Sequence, residues 1–501
     1  MQNLIKPRLA ILVGLIVVLG IAVFFRVWQL DSIPPGLYPD EAINGNQAVS
    51  EPGRIFYPEN NGREGLFMSL IALSFSLFGI SIWSFKIVPA IIGILTVLGL
   101  YLLTKELFLK RGENVSCAIA LLSSFFLATS FWHVNFSRID FRAILVPFVL
   151  VFLFYFLFRG FRTRKFLDFA IAGLFFGLGF HTYISFRVAA LLIIIILLFQ
   201  RKFLPQIACF LILAFLVALP IGVYFLQNPQ DFISRAGGVS IFAQPSPIKA
   251  LGESLIKHLA MFNFYGDPNW RHNFSASPQL CFLVGILFLI GLFISIKQIK
   301  KSLSYLLLVL WFFIMLLPAV LTAEGIPHAL RAIGVIPVVY IFAGLGGWYS
   351  YQWISQKNKK VILSIGCIFF VIVGFVQFSR YFIQWANRPE VKAAFARDYV
   401  EIGNYLNSLP PETQKYVIVN QSGVLVDGIP MPAQTVMFIE RTKYGKPEAV
   451  YLLPENLNQI EIKEKTVIVP MKYEEGLFQE LELKFPGGEI QEVKGIKSYV
   501  K

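Results

Sequence analysis

Eleven stretches of this chain are apolar and 15 to 24 residues long, and short polar segments separate them. They fall near residues 9–27, 86–104, 115–134, 143–158, 166–183, 186–200, 203–226, 280–296, 303–322, 332–350 and 361–379. A helix rises about 1.5 Å per residue, so such runs suit the ~30 Å hydrocarbon layer of a bilayer. A soluble fold would have to hide them all in one core, and cores stop growing near about 250–300 residues. An outer-membrane barrel needs alternating segments of about ten residues, and these runs do not alternate. The fold class that remains is an all-α polytopic membrane protein. Composition agrees: 56% of the 501 residues are hydrophobic and 15% are charged, against about 25% charged in soluble domains. The four cysteines (Cys117, Cys209, Cys281, Cys367) all lie within apolar runs, where they read as small apolar residues rather than disulfide or metal partners. The first run follows Lys6 and Arg8 without a small-residue cleavage site. It is read as a retained span.

Charge sets the orientation. The net charge is +14, but residues 1–382 carry +16 and residues 383–501 carry −2. The excess is a topology signal, not a nucleic-acid surface. If the shorter run 66–80 is an interfacial helix lying on the membrane, 17 Lys and Arg residues fall on one side. They occupy six short segments: Lys6 and Arg8, 105–111, 159–165, 201–202, 297–301, and 357–360 with Lys357. That side is cytoplasmic. The outer side then receives loop 28–65, residues 135–142 and 181–187, the long loop 227–279, and residues 323–331. No acid of residues 1–382 falls in mid-span, which argues against an ion-coupled transporter.

Residues 1–382 therefore form a transmembrane domain, and residues 383–501 a small α/β domain expected on the extracytoplasmic side of the cell membrane. The latter reads as a helix over 390–408 ending before Pro410-Pro411. The apolar runs KYVIVN, QTVMFIE, AVYLL and TVIVP follow, then a charged helix at 473–484 and a final strand.

The chemistry-bearing residues cluster in the outer loops. Asp40-Glu41 follows Pro34-Pro35-Gly36 and Pro39. Adjacent carboxylates beside apolar surface suit a general base; an N-capping acid is the alternative. Arg63-Glu64 precedes the interfacial helix, where Glu64 also suits a helix N-terminus. Arg138, Asp140 and Arg142 crowd one turn. With Arg63 they form a phosphate clamp or, for Arg142 above all, reach to the interface as snorkelling cations. Tyr183 and Arg187 close a span as substrate contacts or as an aromatic belt. GDPNWRHN brings Asp267, Arg271 and His272 together, and EGIPHALR brings His328 and Arg331 to a helix start that suits an anion, with a snorkelling Arg331 as the alternative. No nucleotide-binding glycine pattern occurs, so an activated substrate has to arrive in the membrane.

One long first span, an outer loop with Asp-Glu, a polar motif leading an interfacial helix, many spans and an outer soluble domain together resemble the GT-C membrane glycosyltransferases. The most similar group is that of protein O-mannosyltransferases and lipid A aminoarabinose transferases. The likeness covers about residues 1–350, with motifs at 38–41 and 63–80. SFWHVNFSR, GDPNWRHN and EGIPHALR are similar to strings in bacterial members. The resemblance implies a polyprenyl-phosphate sugar donor, inversion at the anomeric carbon, and Asp40 as the base. Relatives carry an acid or His, often a Lys, and paired prolines where this chain has Arg63-Glu64-Gly65-Leu66-Phe67; it has no Lys or Pro there, which leaves Arg63 as the cation. Some relatives bind a divalent metal through outer-loop acids, a role that falls here to Asp40, Glu64 and Asp140. No cofactor beyond such an ion is implied.

The expected function is transfer of a sugar from that lipid donor to an envelope glycan, lipid or protein on the outer face. An oligosaccharide ligase of the same fold, a lipid or polysaccharide flippase, and a non-catalytic envelope scaffold are the alternatives.

Overall fold

A computed structural model describes residues 2–355 and 359–501; Lys357, counted in the last basic segment, lies outside them. The chain is mostly helical, and its backbone divides into two compact units. The first comprises residues 1–30, 64–67 and 89–385, and the second residues 31–63, 68–88 and 386–501.

The first unit is the polytopic body of a multi-pass membrane protein. Among the described residues seven helical stretches are long and apolar enough to cross a bilayer: Arg8–Val27, Ile82–Arg111, Arg142–Thr163, Arg201–Gln227, Leu303–Val320, Ile333–Ser355 and Gly366–Trp385. Glu113–Thr129, Phe166–Gly179, Ile184–Leu198 and Phe282–Lys297 are apolar but shorter, so each of the eleven apolar runs has its helix. Leu66–Phe78 has 13 residues, about 20 Å at 1.5 Å per residue, too short for a ~30 Å layer. Small residues let helices of this unit approach closely. A side chain on Gly291 would meet the carbonyl of Phe342, and one on Gly346 would meet that of Leu287, so helices 282–297 and 336–355 touch backbone to backbone.

Contacts sort the loops by end. Arg111 donates to Gln298 at 3.0 Å, Arg162 grips Glu106 through two nitrogens at 2.5 and 2.9 Å, and Ser304 bonds the Leu107 carbonyl at 2.8 Å. The basic segments 105–111, 159–165 and 297–301 thus share one end of the helices.

The second unit is built on a five-stranded mixed sheet with the order Val450–Leu452, Gln414–Ile418, Thr466–Pro470, Ile496–Val500, Glu489–Val493. The first three strands run parallel, and the last two pair antiparallel. Alternation decides which face each residue serves. Val417, Val419, Val467 and Val469 pack with Ile402, Leu406 and Val436 on one face, while Tyr416, Ile418 and Ile468 pack with Leu477, Phe478 and Leu481 on the other. Central strands covered on both faces explain the continuous apolar runs.

Two sequence expectations change here. QTVMFIE is not a strand but part of the helix Ala433–Tyr444, closed by Gly445 in the left-handed conformation. Seven apolar-rich residues fit either period, and packing chooses the helix: it lies on helix Arg397–Ser408 and on helix Pro39–Ser50. The second contact includes Asn46 donating to the Gln434 carbonyl at 2.9 Å and Gly45 against the Phe438 ring. The chain end forms two strands rather than one. Residues 31–63 and 68–88 belong to this compact unit.

Candidate active site

Polar side chains concentrate in one region of each unit. In the second unit, helix Pro39–Ser50 begins at the sequence Tyr38-Pro39-Asp40-Glu41. Proline suits the first helical turn, where its missing N–H is not needed. Glu41 is buried and turns back to accept the Tyr38 N–H at 3.3 Å, which closes the helix start. Asp40 points differently. It is half-buried and accepts a hydrogen bond on Oδ1 from the Asn60 amide at 2.7 Å. Thr435 bonds the Leu37 carbonyl at 3.0 Å, and Lys86 reaches the carbonyls of Pro34 and Gly36 at 3.4 and 3.3 Å. The turn that carries Asp40 is therefore tied down from two directions.

Arg63 is almost fully buried. Its guanidinium donates to Asn44 Oδ1 at 2.6 Å and to Gln47 Oε1, and it lies over the Tyr57 ring. Asn44 and Gln47 are one turn apart on the helix that bears Asp40, so Arg63 braces that helix.

Asp40 and Asn60 line a cavity of about 880 Å³, whose other wall is the start of helix Arg397–Ser408 and the segment Gln421–Val424. Burial pushes the Asp398 carboxyl up, and burial followed by the charge of Asp398 pushes the Tyr399 hydroxyl up to about 12.

In the first unit, Glu64 and Arg142 form a buried ion pair, Oε2 to Nε 2.7 Å, and Arg142 lies 5.2 Å over the ring of Tyr183. Arg187 is within electrostatic reach of both charges and donates to the Phe232 carbonyl at 2.9 Å. Arg138 lies at the end of the first helix. It donates to the carbonyls of Phe25, Trp28 and Gln29 and lies over the Phe382 ring. A cation at a helix C-terminus satisfies the carbonyls left over there. Asp140 is buried in the same turn.

Three sequence motifs meet in this unit. Asp267 Oδ2 accepts from the Ala329 N–H at 2.8 Å and lies 3.0 Å from His272 Nδ1, while Oδ1 accepts the Asn269 N–H at 2.8 Å. His328 Nδ1 is 4.0 Å from the same carboxylate. Asn135 donates to the Arg271 carbonyl at 2.6 Å, and Trp132 to that of Ala329 at 3.2 Å. The 130–138, 266–273 and 324–331 segments thus form one layer. Arg331 pairs with Glu324 of its own segment at 2.7 Å. Arg271 stays half-exposed.

Among the described residues one group of three ligating side chains lies within 4.8 Å, Asp267, His272 and His328. It differs from the three carboxylates expected in the sequence, Asp40, Glu64 and Asp140, of which Asp40 accepts from Asn60 and Glu64 pairs with Arg142. Two imidazoles and a carboxylate are a donor set that suits a zinc-like divalent ion. Behind them sits His258, absent from the sequence reading. Its Nδ1 bonds the Ser254 carbonyl at 2.8 Å and its Nε2 accepts the His328 N–H at 3.1 Å. Burial pushes its imidazole down. In the sequence it is one histidine in an amphipathic helix, with nothing near it to mark a role.

Residues 66–224 match the family described as dolichyl-phosphate-mannose-protein mannosyltransferase. No curated protein matches the chain in sequence. In fold it is similar to ArnT from Cupriavidus metallidurans bound to undecaprenyl phosphate, at 12% identity and a TM-score of 0.55 over 97% of each chain. It is also similar to the archaeal oligosaccharyltransferase AglB from Archaeoglobus fulgidus in complex with an inhibitory peptide and a dolichol-phosphate, at 14% identity and a TM-score of 0.52. That match covers 88% of this chain and 64% of the other, so the chain spans under two thirds of the archaeal protein. The oligosaccharyltransferase of that organism in complex with Zn and sulfate matches at 16% identity and a TM-score of 0.50, over 97% of this chain and 72% of the other. At such identities the likeness is one of fold, and the fold is GT-C, as the motifs implied.

Proposed function

We propose that this chain is a membrane glycosyltransferase that moves a sugar from a polyprenyl-phosphate donor to an acceptor on the extracytoplasmic face. The observation that carries the reading is Asp40: a half-buried carboxylate on a braced turn, fixed through one oxygen by Asn60 and facing a cavity. An acceptor hydroxyl (or amine) in that cavity gives its proton to Asp40 Oδ2. Its oxygen forms a bond to C1 of the sugar as the bond from C1 to the phosphate oxygen breaks, and the lipid phosphate leaves with the electron pair. Attack opposite the leaving group inverts C1. A positioned base contributes about 10²–10⁴-fold.

The growing charge on the leaving phosphate needs cations that strengthen in the transition state. Arg142 and Arg187, with Glu64 as the one carboxylate between them, leave a net positive charge in the first unit. A divalent ion held by Asp267, His272 and His328 would supply Lewis-acid positive charge; the proton transfer to Asp40 does not depend on it. The fold's relatives, one bound to undecaprenyl phosphate and one to a dolichol-phosphate, support a lipid-phosphate donor. The test is acceptor-dependent release of polyprenyl phosphate by purified protein in nanodiscs. A flippase would translocate the donor and release none.

A further inference from the structure

We infer that the cavity beside Asp40 is the acceptor site and that its acceptor is a neutral carbohydrate, an inference that rests on Asp40 being the base. The cavity lies wholly within the second unit. At about 880 Å³ it is in the upper part of the roughly 300–1,000 Å³ range of small-ligand pockets. That is room for more than one sugar ring.

Its lining is unlike a lipid groove. Asn60 and Gln421 present planar amides with a donor beside an acceptor, and Asp40 a carboxylate that accepts, the types that match adjacent hydroxyls on a ring. Tyr38 and Tyr399 bring aromatic rings with polar tips, and such surfaces take the C–H face of a sugar while keeping the hydroxyl for hydrogen bonding. An acyl chain would need a continuous apolar wall.

Charge separates a neutral ligand from an anionic one. Asp40, Asp398 and Glu401 are set against Lys392 and Arg397, and Arg397 already holds Glu401 at 2.9 Å. The cavity has no surplus of cations for a phosphorylated headgroup, which would call for guanidinium forks. Main-chain recognition of an extended peptide uses a free strand edge, and none of the lining residues belongs to a strand.

The ligand's reach is fixed by Asn60. It occupies Oδ1 of Asp40 at 2.7 Å, so a hydroxyl presented from the cavity meets Oδ2, the atom that takes its proton. Tyr399 and Gln421 then set which hydroxyl is presented.

The experiment is hydrogen–deuterium exchange of the full chain in nanodiscs with maltotriose, isomaltotriose, triacetylchitotriose, a Ser/Thr-rich peptide or lipid A added singly. At least one of the neutral saccharides should slow exchange several-fold in 392–401 and 421–424. Gln421→Ala and Tyr399→Ala should each remove that protection, and Tyr399→Phe should keep most of it. Protection by the peptide or lipid A alone, or by no probe, overturns the assignment. Polyprenyl phosphate release is read in the same samples with donor present. Saccharide protection without release in any sample would sink the transferase reading and leave the site standing. Release stimulated by peptide, with no saccharide protection, would sink the acceptor assignment and leave the transferase.

Discussion

Asn60, in a loop, donates its side-chain amide to Oδ1 of Asp40 at 2.7 Å, twenty residues back along the chain. That bond sets apart two neighbouring carboxylates which the sequence presents as equals. Asp40 is aimed at a cavity, and Glu41 is folded onto its own helix start.

Asp40→Asn should therefore leave the melting temperature unchanged and cut turnover by at least the ~10²-fold typical of losing a general base. Glu41→Gln should do the reverse, with near-normal turnover and a stability loss of about 1 kcal/mol from a weakened cap. Steady-state kinetics and thermal melting of both variants check this. Equal small effects on turnover would remove Asp40 from the chemistry.

Arg63 acts through helix Pro39–Ser50 and is a positioning residue. Arg63→Lys cannot reach Asn44 and Gln47 together. It should cost roughly 1–3 kcal/mol, the range for leaving a buried polar group unsatisfied. Its readout is a lower melting temperature, with donor KM little changed; a raised donor KM with unchanged stability would return Arg63 to the phosphate.

Arg142 is expected to behave otherwise. Arg142→Lys keeps the charge opposite Glu64 but loses the planar fork. It should lower kcat more than it raises donor KM, because contacts made to the leaving phosphate strengthen in the transition state. Equal kinetics in the wild type and the Arg142→Lys variant would assign the pair to structure alone.

Much of this was legible in sequence, for a physical reason. Apolar length and loop charge are summed over many residues, so the eleven helices and the shared end of the basic loops could be read from one dimension. The chemistry-bearing segments were legible too, since Asp267, His272 and His328 stand in polar strings between apolar runs. Their convergence was not. The bond from Ala329 to Asp267 spans 62 positions, and no local pattern encodes it. The packing of Arg63 against helix Pro39–Ser50 was not legible, because a buried and an exposed arginine look alike in a loop, although Asn44 and Gln47, one helical turn apart, are the faint sign of its partners. The helix Ala433–Tyr444 was hidden because seven residues are too few to separate two periods.

The histidine and carboxylate layer is tested by metal. Addition of Zn²⁺ to metal-stripped protein should raise its melting temperature, and His272→Ala with His328→Ala should abolish the rise. At free metal of about 100 times Kd the stabilisation is ~2.7 kcal/mol. No shift in the wild type would make the layer a hydrogen-bonded structural element.

Glu440 gives a pH signature. It is fully buried, accepts the Ala449 N–H at 3.0 Å and the Tyr451 hydroxyl at 2.5 Å, and burial pushes its carboxyl up from 4.5. The folded state then binds the proton more tightly than the unfolded one. Stability is highest below the unfolded value and falls as pH rises from about 4.5 through the folded pKa. Glu440→Gln should remove that slope, so the variant gains on the wild type as pH rises. Parallel melting curves across pH would contradict the burial argument.

The central claim is that Asp40 is the base of a sugar transfer from a lipid phosphate. The measurement that tests it most directly is release of polyprenyl phosphate from a polyprenyl-phosphate sugar, by wild type and Asp40→Asn in nanodiscs, with envelope acceptor present or omitted. The account predicts acceptor-dependent release by the wild type and at least a ~10²-fold slower release by the variant with donor binding retained. Donor translocation without release, or equal release by both proteins, would contradict it.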